Sequence, residues 1–229
     1  MNLRYDEIFS NALGQTGIID PMEVPNWPAS YTGYQDQLNM SYFAEHRYSD
    51  GPLRITAGML LNQRQLGSEI IVSAWSPGID VGFKLGKLST LYASVDQSVR
   101  YPTYTDLYYD RGKVLGSLDL DHESAQNFEA GYRRGVQNNI RYNAAAFHRR
   151  STNLIDWVKF PGNDTAFARN ITNLNLTGLE GNFGYYASKR KDFVRSIVGS
   201  FMFMQGSTPE VEYTSLYALD YLGAKANIT

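Results

Sequence analysis

Between Gly78 and Leu85 the residues Ile79, Val81, Phe83 and Leu85 alternate without a slip against Gly78, Asp80, Gly82 and Lys84. Side chains that trade places one by one point to opposite faces of an extended chain, whereas a helix returns its apolar positions every three to four residues. The stretch is therefore a strand with one apolar and one polar face. The plan recurs along the chain. Leu38, Met40, Tyr42, Ala44, His46 and Tyr48 alternate with Gln37, Asn39, Ser41, Glu45 and Arg47, and only Phe43 breaks the order. Leu53, Ile55, Ala57, Met59 and Leu61 alternate with Arg54, Thr56, Gly58 and Asn62, and Leu91, Ala93 and Val95 with Tyr92, Ser94 and Asp96. Phe128, Ala130 and Tyr132 oppose Asn127, Glu129 and Arg133. Further strands are expected at 3–9, 139–152, 173–187 (Leu179, Phe183, Tyr185 and Ala187 on one face), 192–205 and 223–229. About ten strands and no long helix make this an all-β chain.

The connections carry the next constraint. They are short at 49–51, 86–87, 136–139 and 188–192, and long at 62–76, 98–124, 153–172 and 206–222, in strict alternation. Residues 11–36, with Pro21, Pro25 and Pro28 around Trp27, read as a further loop. A transmembrane barrel has short turns at one end and long loops at the other; Greek-key connections in a soluble sandwich have no reason to sort loops by parity. The expected fold is an antiparallel up-and-down transmembrane β-barrel. Leu53, Ile55, Ala57, Ile79, Val81, Phe83, Phe128, Ala130 and Tyr132 should face outward, and Arg54, Asp80, Lys84, Glu129 and Arg133 should face the lumen.

Composition removes competing classes. No apolar run approaches the roughly 18 residues of a spanning helix, and a negative mean hydropathy is what alternating strands average to. The net charge of −2 leaves no basic surplus for nucleic acid. Cysteine is absent, which removes disulfides and thiolate metal sites. Tyrosine is abundant, at 17 residues, and suits surfaces that are apolar at one end and wet at the other. The first residues, MNLRYDEIFS, do not read as a secretory signal, so either the protein is cytoplasmic or its beginning is missing.

Several segments resemble the barrel of TonB-dependent outer-membrane receptors, particularly those of Bacteroidetes type. They are RYDEIFSNALG (4–14), SYFAEHRY (41–48), SPGIDVGF (76–83), SVRYPTYTDLYY (98–109), GSLDLDHESAQNFEAGYR (116–133), NLIDWV (153–158), NITNLNLTGLE (170–180) and YALDYL (217–222), in the family's order. The family's Asn-Pro-Asp-Leu-Lys-Pro-Glu element stands here as Ser117 to Glu123 without either proline. The resemblance includes no plug domain, energy-coupling box, signal peptide or terminal strand ending in an aromatic residue, so residues 1–229 are expected to be one segment of a partial barrel; plugged transporters of this type have about 22 strands, which implies that the segment supplies a little under half of the wall. It implies a bacterial outer-membrane protein in contact with lipid, without enzymatic activity or cofactor. The cargo would be a scarce nutrient such as a siderophore, cobalamin or glycan, with TonB pulling through the missing plug.

The candidate ligand-binding residues are Tyr101, Tyr104, Asp106, Tyr108, Tyr109 and Asp110, at the start of the longest loop. Aromatic surfaces with a few polar anchors suit a ligand entrance; the same tyrosines could instead form an aromatic girdle or pack the loop. Asp20, Glu23, Asp36 and Asp110 lack the spacing of a calcium loop and read as solvated charge. His46, His122 and His148 sit on separate elements, so no metal pair is expected. The Asn-x-Thr triplets at Asn163, Asn170 and Asn175 are chance matches in a bacterial membrane protein. Two other classes compete: a small outer-membrane porin or barrel hydrolase, which should carry its own export signal and closing strand, and a soluble β-rich carbohydrate-binding module, which would appear without detergent.

Overall fold

The computed structural model describes residues 1–10, 18–23, 30–67, 70–137, 139–187, 195–207, 214–215 and 222–228. The wall consists of β1 (Asn2–Ser10), β3 (Ser30–Asp50), β4 (Leu53–Leu66), β5 (Ile70–Lys84), β6 (Ser89–Arg100), β9 (Glu123–Gln137), β10 (Ile140–Lys159), β11 (Ala166–Tyr186), β12 (Ser196–Ser207) and β14 (Leu222–Ile228). These ten strands are hydrogen-bonded in that order, each antiparallel to the next. Short pieces attach to it: β2 (Ile18–Glu23) on β3, β7 (Asp110–Arg111) on β8 (Val114–Leu115), β8 parallel to β11, and β13 (Thr214–Ser215) on β10. A single short helix, α1 (Tyr104–Tyr108), interrupts the β pattern among the described residues. β1 and β14 are the two ends of the sheet, with no ladder between them among the described residues.

Register sorts the side chains as the alternation requires. Ala93, Ala130, Ala146, Leu179, Phe203 and Ala224 form one rung across neighbouring strands. The next rung joins Ser94, Glu129, Phe147, Gly178 and Met204 on the opposite face. Ile79, Phe83, Leu91, Val95, Phe128 and Leu179 all stand exposed on the first face. A soluble sheet would bury so continuous an apolar face, whereas hydrocarbon solvates it. Arg54, Asp80, Lys84, Glu129 and Arg133 all lie on the second face, as expected.

Two expected loops are strands. The stretch 62–76 is a hairpin whose ladder continues to Leu66 opposite Ile70, and 153–172 shrinks to residues 160–165 between β10 and β11. The reason lies at the lipid boundary. Above it the outward positions turn polar, as at Gln63, whose side chain donates to Ser73 Oγ at 3.1 Å. The period-two signal fades there although the backbone ladder goes on. A bulge between Ser151 and Ile155, with Asn153 at φ 55°, further breaks the alternation in β10. The expected loop 11–36 likewise contains β2 and the start of β3. At the opposite end Gly51 sits at φ 50° in a two-residue turn, a left-handed value that glycine supplies without strain. The expected turn at 188–192 lies outside the described residues.

The segment 101–122, between β6 and β9, reaches β1 through Tyr104 Oη, which donates to the Asp6 carbonyl at 3.2 Å, and β10 through Tyr109, which packs on Trp157. Flat, β1 and β10 would lie about 29 Å apart, six strand spacings of roughly 4.8 Å. One short segment touches both because the sheet curls around it, so the polar face is the concave, lumen side.

The two faces differ in what they tolerate. Ala93→Arg, on the lipid side, is expected to cost the full-length protein about 2–4 kcal/mol at mid-bilayer, while Ser94→Arg, one residue on, should stay within about 0.5 kcal/mol. Denaturant unfolding in phospholipid vesicles measures both.

Candidate functional site

The inward segment begins where β6 ends. Arg100 makes a two-pronged ion pair with Glu123 at the start of β9, Nε to Oε2 and Nη2 to Oε1 both at 2.6 Å. Its third nitrogen lies 3.5 Å from Asp106. Paired forks of this kind are directional and stronger than neutral hydrogen bonds. Glu123 raises the Arg100 guanidinium above its ordinary range, against the opposing effect of burial. The Ile155 amide donates to Glu123 Oε1 at 2.9 Å, so β6, β9 and β10 meet at one carboxylate, and Arg100 links it to α1 through Asp106.

A five-residue helix does not hold its shape alone, because nucleation costs more than so few bonds return. Here its start is capped on both sides. The Asp106 amide donates to Thr103 Oγ1 at 3.2 Å, and Asp106 Oδ2 accepts from the Thr103 amide and hydroxyl, each at 2.8 Å. Leu107 and Tyr108 are buried against Ile8 and Leu66 of the wall. The chain then doubles back beneath the helix: the Gly116 amide donates to the Tyr109 carbonyl and the Ser117 amide to the Asp106 carbonyl. A Cβ at Gly116 would stand 2.8 Å from the Asp106 carbonyl oxygen, so only glycine fits that crossing.

The wall supplies a second clamp. Arg64 is buried and donates to the Pro102 carbonyl, with its guanidinium 5.9 Å from the Tyr101 ring centre. Burial lowers its pKa below the ordinary arginine value, and the negative charge of Asp106 opposes that fall. Tyr101 Oη reaches the carbonyls of Asn62 at 2.8 Å and Val72 at 3.2 Å. Burial raises the pKa of Tyr101, Tyr104 and Tyr108, so all three remain neutral.

The candidate residues thus gather in one place but face inward, which removes the lipid-girdle alternative for Tyr101, Tyr104 and Tyr108. Their bulk, and the carboxylate of Asp106, hold the segment to the wall. Tyr109 packs edge-on to Trp157 with ring centres 6.1 Å apart and is half-buried, and Asp110 is exposed. Sequence reasoning missed Arg64, Arg100 and Glu123. Each lies near the end of a strand, where a charge in a β run reads as a solvated terminus, and only the fold shows that they converge.

A membrane-barrel wall with an inward strap at the long-loop end is the class that this geometry defines. The sequence matches the family described as TonB dependent receptor-like, beta-barrel, over residues 2–226, and the chain belongs to that family. The match is to the family at large and does not single out the Bacteroidetes type. Among solved structures, the siderophore receptor PirA from Pseudomonas aeruginosa superposes at TM-score 0.63 with 18% identity, covering 76% of this chain and 33% of its own. PirA from Acinetobacter baumannii gives 0.60 at 14% identity, covering 99% and 44%. The copper transporter OprC gives 0.63 at 15%, covering 77% and 29%. At these identities the likeness is one of fold. The chain spans less than half the length of each of these structures. No curated protein matches the sequence.

Removing the fork tests the strap. Arg100→Ala should lower the free energy of local opening at the Leu107 and Tyr109 amides by about 1–2 kcal/mol. That is less than for a fully buried pair, since Arg100 is half exposed. Amide hydrogen exchange reads it, because both amides donate within the strap to Thr103 and Thr105.

Proposed function

We propose that this chain is part of the wall of a bacterial outer-membrane transporter that takes up a scarce nutrient, a siderophore, cobalamin or glycan, driven by TonB acting on a lumen-filling plug. The observation that carries the proposal is the strap. A lipid-facing apolar belt and a rigid aromatic segment folded inside one mouth together suit gated passage better than either an open pore or a soluble sheet. The wall's part is to supply a closed hydrogen-bonded boundary and a shaped mouth, so it requires neither a reaction nor a cofactor. The family match and the fold shared with iron, siderophore and copper transporters support the reading.

Within that mouth the six candidate residues divide by role. Tyr109 and Asp110 would touch the ligand, and Tyr101, Tyr104, Asp106 and Tyr108 would position them. In the full-length protein, alanine at Tyr109 and Asp110 together should weaken ligand binding about tenfold or more while leaving strap exchange unchanged. Alanine at Tyr104 and Tyr108 should loosen the strap first.

The uptake itself is tested by deleting the gene and growing cells on limiting iron chelates, cobalamin or glycans as sole source. Loss of growth on one of them, reproduced by disabling TonB, is the expected result. Unchanged growth on every such source, or uptake that persists without TonB, overturns the reading.

A further inference from the structure

Below the strap, the lumen face of β4, β5, β6 and β9 carries a continuous groove. Its upper part, about 460 Å³, is floored by small residues, Gly58, Ser76, Gly78 and Ser94, and begins at Asn62 and Ser98 directly under the Tyr101 clamp. A second part of about 390 Å³ shares Asp80 and Ser94 with the first. A third of about 600 Å³ shares Thr90 and Arg133 with the second and reaches the short-turn end.

The charge changes along this path. The cations Arg54, Lys84 and Arg133 line the second part alongside Asp80 and Glu129, and the cations Lys87 and Arg141 line the third, where no carboxylate is among the lining residues. None of the five makes an ion pair with a carboxylate among the described residues. The chain as a whole is net negative, so the local excess is not a reflection of overall basicity.

Arg133 is also held in place. Tyr92 lies flat across Gly131, where a Cβ would come within 2.5 Å of its ring. Its hydroxyl donates to Glu129 Oε1 at 2.8 Å, and the Arg133 guanidinium stacks 5.2 Å above its ring centre. The guanidinium is left facing the groove.

We propose that the lower half of this groove is a binding track for small, multiply anionic solutes bearing carboxylate or phosphate groups. A cleft in which one sign of charge predominates, walled by low-dielectric material, concentrates the opposite ion; here Arg54, Lys84, Lys87, Arg133 and Arg141 outweigh Asp80 and Glu129. Its volume suits a small molecule. That such a solute is travelling cargo rests on the transporter reading; the site itself does not.

The chain contains no cysteine, so Thr90→Cys places a single reporter thiol in the track, in a full-length protein otherwise free of cysteine and purified in detergent. It is reacted with anionic sulfonatoethyl and cationic trimethylammonioethyl methanethiosulfonate, each rate normalised to that of free cysteine. The anionic reagent should be favoured about tenfold at low ionic strength, with the preference shrinking in salt and in the Lys84→Gln, Arg133→Gln double variant. Citrate should slow labelling of Thr90→Cys but not of Ser200→Cys, which lies on the lumen face outside the groove. A normalised preference at or below one overturns the proposal, as does labelling that citrate leaves unchanged. A Thr90 thiol that neither reagent reaches also overturns it, and assigns the groove to polypeptide instead of solute. Because the readout is made on purified protein, failure here is separate from failure of the uptake assay.

Discussion

An amide or carbonyl that faces hydrocarbon without a partner costs several kcal/mol, and each layer of this structure answers that demand. The ladders from β1 to β14 pair the wall strands side by side. Once the backbone is committed to pleated strands, side chains can only alternate, and lipid on one side decides which half must be apolar. The polar half is then free to carry charge. Arg54, Asp80, Lys84, Glu129 and Arg133 could not survive on the other face, yet on the lumen side they build a groove.

The same economy explains the strap. A loop leaving the long-loop end has unpaired backbone of its own, and this one satisfies it against the concave face. The β7–β8 hairpin pairs onto β11 through Ala166 and Val114, and the Ala166 amide donates to the Lys113 carbonyl. Asn170 grips Asp121 in both directions, accepting from its amide at 2.7 Å and donating to its carbonyl at 3.0 Å. Five residues of helix persist because the wall on both sides supplies what their own hydrogen bonds cannot.

Period two made the lipid-spanning strands legible, because there both faces are under chemical pressure. It failed where that pressure stops. Beyond the lipid, Gln63, Gln65 and Ser73 give no apolar side to detect, and the ladders of β4 and β5 read as loop. Phe43, which breaks the alternation of β3, lies on the lumen face and lines the upper groove. The candidate residues were legible as a cluster, since tyrosines and carboxylates crowd into 101–110, but not their direction. A tyrosine at a membrane interface and one turned into a barrel mouth look alike in one dimension. Which it is depends on Arg64, on β4, and on Glu123, where the far end of the segment enters β9.

Strap and groove are mechanically one unit. Tyr101 binds the carbonyls of Asn62 on β4 and Val72 on β5, and those two strands continue downward as Gly58, Ser76 and Gly78, the groove's floor. Arg100, which anchors the strap to Glu123, closes β6, whose Ser94 and Ser98 form the groove's other side. A force that shifts the strap must therefore strain the strands that define the track below it. Glycine and serine at the contact positions keep that track open, because larger side chains there would fill the space between clamp and cations. The wall thus joins an aromatic mouth to a basic floor through the same three strands, and the mouth's rigidity sets the geometry of the path beneath it.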